Sequence, residues 1–336
     1  MKHKTMVTAL LVLAAAFSAP LHKAAAEVGE LKVALQYGIG YLPLAIMKHN
    51  NLIEKHLKAA GLNDTKVAWS RLGAGAPMND ALLSGSLHVA SGGVPPFLFL
   101  WARTVDNLKV KAVAALCSMP MFLVTSNPNI KTIRDFTEKD RISVAGAGSS
   151  IQTIVLQMAA AKEWGDANYN KLGTLLVNLP HPEGLATLLS GKEINGYISS
   201  PPFQYQALQK PGIRKVLSSY DVMGGPATFL VVWTTTKFRE ENPKTYQAFF
   251  NAFKEATDFV NRNRRGAAEI YVKESGDKSG VAAIEKLLND PEIRVTMVPE
   301  NTMKFVNFMN KVGTLKGKAA SWKDLFFPEV HALPGS

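Results

Sequence analysis

Two short segments recur in this chain at one fixed distance. Leu82-Leu83-Ser84-Gly85 returns as Leu188-Leu189-Ser190-Gly191, and Pro95-Pro96-Phe97 returns as Pro201-Pro202-Phe203, both 106 residues downstream and without a gap. In each block the order is helix, Ser-Gly stop, short strand, Pro-Pro, helix. A supersecondary unit repeated in this way predicts two similar lobes. The 336 residues suffice for two domains at about 150 residues each.

The pattern around the repeat is α/β. Residues 31–35 alternate and predict a strand, which Gly38 and Gly40 end. Pro43 then opens an amphipathic helix to about Ala60, with Leu44, Met47, Ile53 and Leu57 on one side and Gly61 as its stop. Further strands are expected at 66–72, 87–90, 110–116, 141–145, 174–179, 195–198 and 228–235, with helices between most of them. Such alternation predicts lobes that are each a mostly parallel sheet flanked by helices. Beyond residue 243 the sequence is almost entirely helical and has little strand pattern of its own. Those helices most simply pack back onto the first lobe. The expected layout is therefore 27–121 with 227–336 as a discontinuous lobe one, and 122–226 as lobe two. Two crossings, near 119–125 and 224–231, would form a hinge.

The first 26 residues are set apart. Lys2, His3 and Lys4 precede an apolar run over 5–17, and Ala24-Ala25-Ala26 stands before Glu27. This is the pattern of a cleaved export signal, with cleavage near Ala26 and a periplasmic product. The run is short for a membrane span. Removing it takes Lys2, Lys4 and Lys23 away and lowers the net charge from +11 to +8. The remaining basic residues are scattered, and the densest group, Arg262-Asn263-Arg264-Arg265, suits a solvated helix face, so no nucleic-acid partner is expected. A single cysteine, Cys117, excludes an internal disulfide and any Cys-rich metal site; after an apolar strand it is expected as a small buried hydrophobe. An exported protein also meets little ATP or nicotinamide cofactor, so no cofactor is expected.

The chemistry that remains lies in the loops. In an open parallel sheet, ligands bind beyond the carboxyl ends of the strands. Those ends here carry Gly40-Tyr41-Leu42, Gly73-Ala74-Gly75-Ala76, Gly92-Gly93-Val94, Gly148-Ser149-Ser150, His181-Pro182 and Ser199-Ser200. Small residues at helix starts let a ligand reach backbone N–H groups, and helix N-termini favour negative charge. Tyr37, Tyr41, Phe203 and Tyr205 could wall such a cleft, and Arg71 is the one basic residue beside a cleft loop. Enzyme signatures are missing. No Gly-Lys-Ser/Thr follows a Gly-rich loop at P-loop spacing, no six-residue dinucleotide fingerprint is present, and there is no Gly-x-Ser-x-Gly elbow. His49, His56, His88, His181 and His331 show no zinc spacing, so no metal is expected.

The Gly-Ala-Gly-Ala loop with Ala81-Leu82-Leu83-Ser84-Gly85, the run 91–97, Ser149-Ser150-Ile151-Gln152 and Pro201-Pro202-Phe203 together resemble the substrate-binding proteins of nitrate/sulfonate/taurine-type ABC importers. The resemblance covers nearly the whole chain after the export signal. It implies a two-lobed type II periplasmic-binding-protein fold that traps a small anionic or polar solute by hinge closure, without turnover, and passes it to a membrane permease as a monomer. The ligand-binding residues it implies are Tyr41, Leu42, Gly75, Ala76, Gly93, Val94, Ser149, Ser150, Gln152 and Ser200, to which the position of His181 at a strand end adds that residue. Most of these loops lack arginine or lysine, which leaves small carboxylates and neutral heterocycles open beside sulfonates. Two other readings of the same fold are an enzyme of menaquinone- or pyrimidine-pathway type and a ligand presenter to a membrane sensor.

Overall fold

A computed structural model describes residues 27–336; the segment assigned to the export signal lies outside them. Eleven strands are formed among the described residues: β1 (Glu30–Leu35), β2 (Lys66–Arg71), β3 (Ala90–Gly93), β4 (Val110–Ser118), β5 (Phe122–Thr125), β6 (Ile142–Val144), β7 (Leu176–Asn178), β8 (Gly196–Ser199), β9 (Arg214–Ser218), β10 (Thr228–Thr235) and β11 (Arg294–Val295). β1 and β2 pair in parallel, and a parallel bridge from Val33 to Val89 ties β1 to the approach of β3. β11, β4, β10 and β3 form a four-stranded sheet in that order. β7, β6, β8, β5 and β9 form a separate five-stranded sheet.

The sheets are mixed, not mostly parallel as the strand–helix alternation predicted; every pairing in the four-stranded sheet is antiparallel. The strands that lead into helices, β1 with β2 and β6 with β7 and β8, run parallel. β10 runs antiparallel to both β3 and β4, and β5 antiparallel to both β8 and β9. These antiparallel strands are the ones next to the passages between sheets. β4 ends at Ser118 in one sheet and β5 begins at Phe122 in the other; β9 ends at Ser218 and β10 returns at Thr228. A strand that enters from the opposite lobe has no crossover helix to reverse it, so it enters the sheet antiparallel.

Period-two patterning places the cores. On β5, Leu123 faces a cluster with Ile142, Leu156 and Ile198, while Phe122 and Val124 face the other side, with Leu188, Tyr197 and Phe203. The five-stranded sheet is therefore covered on both faces. The first lobe has one large core, completed from the C-terminal part by Phe249, Phe253, Phe305 and Phe326. The amphipathic helix Pro243–Arg262 supplies the first two and packs against the helices Leu42–His49 and Leu52–Ala59. The single helix expected from Pro43 to Ala60 is thus two helices. Asn50-Asn51 interrupts it, with Asn51 at φ 50°, a left-handed conformation that asparagine accepts more readily than most residues.

Candidate functional site

Several helix starts meet where the two lobes face each other. The helices Gly75–Leu83 and Val94–Thr104 begin on the first lobe, and Ile151–Trp164 and His181–Ser190 begin on the second. Between them lies a narrow cleft whose free interior is about 20 Å³, room for roughly one water with the lobes held this close. Its first-lobe wall is Gln36, Tyr37, Tyr41, Gly75, Gly93 and Pro96, extended by Phe229 and Leu230 of β10. Its second-lobe wall is Ala145, Ser150, Ile151, Gln152 and His181.

Glycines allow this approach. A Cβ on Gly75 would lie 2.6 Å from Pro96 Cβ, and one on Gly93 would lie 2.9 Å from Ile151 Cβ and Cγ2, across the cleft. Gly38, at φ 112°, brings the backbone against the second lobe, where the Ile39 N–H donates to the Pro201 carbonyl at 3.2 Å. The lobes are in contact, and the cleft lies between them.

The polar groups are uncharged. Ser150 caps its helix: its Oγ accepts from the Thr153 N–H at 3.2 Å and lies 3.0 Å from Thr153 Oγ1. Gln36 donates through Nε2 to the Ser91 carbonyl at 3.1 Å. Gln152 Nε2 lies 3.1 Å from His181 Nε2. The His181 ring stacks on Phe203 with centroids 5.4 Å apart and 18° between planes, and Tyr197 packs against its edge. Burial pushes the His181 pKa down to about 4, so its imidazole is neutral at ordinary pH. Burial raises the Tyr41 pKa well above its usual value, so its hydroxyl stays protonated. Arg71 stands outside the lining: its guanidinium lies 5.1 Å from the Tyr37 ring and donates to the Gln36 carbonyl at 3.3 Å.

Of the residues expected from sequence, Tyr41, Gly75, Gly93, Ser150, Gln152 and His181 line the cleft together. Leu42 and Val94 do not; both are first residues of their helices and are fully buried in the first-lobe core. Ala76 is exposed, and it, Ser149 and Ser200 are outside the lining. Gln36, Ile151, Phe229 and Leu230 were not anticipated. Phe229 and Leu230 belong to the returning strand β10, and the position of that crossing next to the cleft was the signal that could have found them.

A model of the NMT1-like family matches residues 24–273. The chain is 23% identical over 273 residues to an Escherichia coli (strain K12) protein provisionally named for aliphatic sulfonates binding, covering 81% of each. Two solved structures share its fold. The alkanesulfonate-binding protein SsuA from Xanthomonas axonopodis pv. citri bound to MOPS gives a TM-score of 0.66 at 18% identity, over 87% of this chain and 96% of the other. The periplasmic nitrate-binding protein NrtA from Synechocystis PCC 6803 gives 0.67 at 14% identity, over 87% and 84%. With the family model spanning most of its length, this chain belongs to the NMT1-like family.

Proposed function

We propose that this protein is the periplasmic solute-binding component of an ABC importer, holding a small anionic or polar organic solute between its lobes and handing it to a membrane permease. The observation that carries this is the cleft, which takes its walls from both lobes and lies beside the two chain crossings. The lobes we propose are 27–121 with 227–336, and 122–226. The assignments of its relatives, to aliphatic sulfonates and to nitrate, support an exported receptor rather than an enzyme, and we propose that it acts as a monomer. The solute would be held by backbone N–H groups at the helix starts of Gly75–Leu83 and Ile151–Trp164, and by Tyr41, Gln36 and Gln152, with His181 against the solute and behind Gln152. Closure works only if the solute prefers the closed form.

The test is thermal melting of the purified protein with a panel of sulfonates, carboxylates, nitrate and N–H heterocycles. A matching solute should raise Tm in a concentration-dependent way and be recovered unchanged; saturation at a hundredfold over Kd corresponds to about 2.7 kcal/mol. A flat response across the panel would overturn the reading, as would chemical conversion of a bound compound.

A further inference from the structure

The hydrogen bonds behind the cleft have a direction, and it can be followed by counting protons. The Tyr197 hydroxyl lies 2.9 Å from the backbone carbonyl of His181. That carbonyl can only accept, so it takes the one tyrosine proton. The same hydroxyl oxygen lies 3.3 Å from His181 Nδ1, and Ser199 Oγ lies 3.3 Å from it as well. Ser199 Oγ also has the Ser200 carbonyl as an acceptor for its proton, at 3.4 Å. The Tyr197 oxygen, with its proton already placed, faces Nδ1 as an acceptor, and Ser199 does the same when its proton turns to Ser200; in that arrangement Nδ1 carries the ring proton. A neutral imidazole has only one, which leaves Nε2 as an acceptor. Gln152 must therefore offer its amide N–H to Nε2 at 3.1 Å. Its Oε1 accepts from no protein donor among the described residues, and Gln152 lines the cleft.

The opposite wall repeats the arrangement. Gln36 gives an amide N–H to the Ser91 carbonyl, which again can only accept, and leaves its own Oε1 at the cleft. No acidic side chain lines the cleft among the described residues to balance a protonated amine.

Resting on the solute-receptor reading, we infer that Gln152 presents its amide oxygen to the cleft, in an orientation set by Tyr197 and His181, and that the solute carries a neutral N–H or O–H donor to meet it. A buried acceptor left unmet by the solute loses binding, so such a site rejects the analogue that lacks the donor. Tyr197 is a positioning residue here; it acts through His181.

Two measurements test this on the full exported chain. The first needs no solute. Long-range nitrogen–proton NMR of histidine-labelled protein, with the His181 signals assigned by their loss in His181→Asn, should show the proton on Nδ1; a proton on Nε2 overturns the inference. The second is calorimetry with matched pairs: ethanesulfonate against 2-hydroxyethanesulfonate, propionate against 3-hydroxypropionate, and 1,3-dimethyluracil against uracil. In each pair that binds, the donor-bearing member should bind about tenfold tighter or more, and Gln152→Met should bring the two within about twofold. Equal binding within the pairs overturns this inference and leaves the receptor reading intact. Binding by no member of any pair, together with a flat melting panel, overturns both.

Discussion

Gly93 shows how a single side chain decides whether the lobes can meet. Its backbone, at φ −61° and ψ 154°, is open to any residue, so alanine should fold there without strain. The obstacle is the other lobe: the added Cβ would sit 2.9 Å from Ile151 Cβ and Cγ2, the root of a stiff β-branched side chain that cannot swing away. Gly93→Ala is expected to weaken solute binding about tenfold or more by holding the lobes apart. The urea midpoint of the solute-free protein should change by no more than about 0.5 kcal/mol equivalent. Calorimetry and urea titration of one preparation check both halves. Unchanged affinity would mean that the solute does not need these two surfaces in contact. Small residues at strand ends marked this position in the sequence. The same argument took in Leu42 and Val94, because a one-dimensional pattern gives the helix start but not which of its first residues points inward. Gln36 escaped it because its role depends on the Ser91 carbonyl, 55 positions away.

At the scale of elements, the two helices at Leu42–His49 and Leu52–Ala59 are fixed to the C-terminal helices by a matched pair of clamps. Glu274 receives Lys48 Nζ and His49 Nδ1, each at 2.9 Å. Glu255 receives Lys55 Nζ at 2.7 Å and His56 Nε2 at 2.8 Å. The His49 hydrogen bond, with Lys48 behind it, holds the Glu274 carboxyl below the usual range, and Lys55 with His56 does so for Glu255. A carboxylate depressed in the folded state contributes stability that is present above its unfolded pKa of about 4.3 and is lost as pH falls through the folded value. The acid limb of the stability curve should therefore steepen below about pH 4.3. Glu255→Gln and Glu274→Gln together should flatten it and cost under about 1 kcal/mol each near neutrality, since both pairs touch solvent. Urea titrations from pH 7 to pH 3.5 measure this; an unaltered acid limb in the double variant would show that the clamps do not supply it. That the C-terminal helices return to the first lobe was legible in the sequence from their lack of strands. The break at Asn50-Asn51 was not, because the apolar spacing continues across it and only the left-handed Asn51 reveals the turn. Strand β9 was missed for a similar reason: Arg214-Lys215-Val216-Leu217-Ser218 is an edge strand with mixed burial and shows no clear alternation.

The whole molecule turns on how the lobes hold one another when closed. The repeat at one offset and the two crossings were visible in the chain, but the contacts outside the cleft were not, since each joins residues far apart in sequence. Gln206, on the second-lobe helix Phe203–Leu208, donates from Nε2 to Asp277 Oδ2 at 3.0 Å and to Ser279 Oγ at 2.8 Å. Asp277 and Ser279 lie in the loop between the C-terminal helices Arg264–Ser275 and Val281–Leu288, so this contact spans the lobes away from the solute. Nearer the crossings, Lys304 Nζ donates to the Met223 carbonyl at 2.6 Å and the Tyr220 hydroxyl to the Glu292 carbonyl at 3.0 Å. If only the closed form retains solute, apparent affinity scales with the closed fraction, and a contact made only on closure adds to affinity without touching the solute. A pair of hydrogen bonds, one of them to a carboxylate, is worth about 1–2 kcal/mol net at a partly buried position. Gln206→Ala should accordingly weaken binding by about five- to thirtyfold. The loss should fall mainly on the release rate, because the lobes part more often once the solute is seated. Small-angle X-ray scattering of the solute-saturated variant should still show the compact form, since saturation restores closure. Stopped-flow release kinetics decide the matter: a wild-type release rate in Gln206→Ala would remove this contact from the closing device and leave closure to the cleft surfaces and the contacts near the crossings.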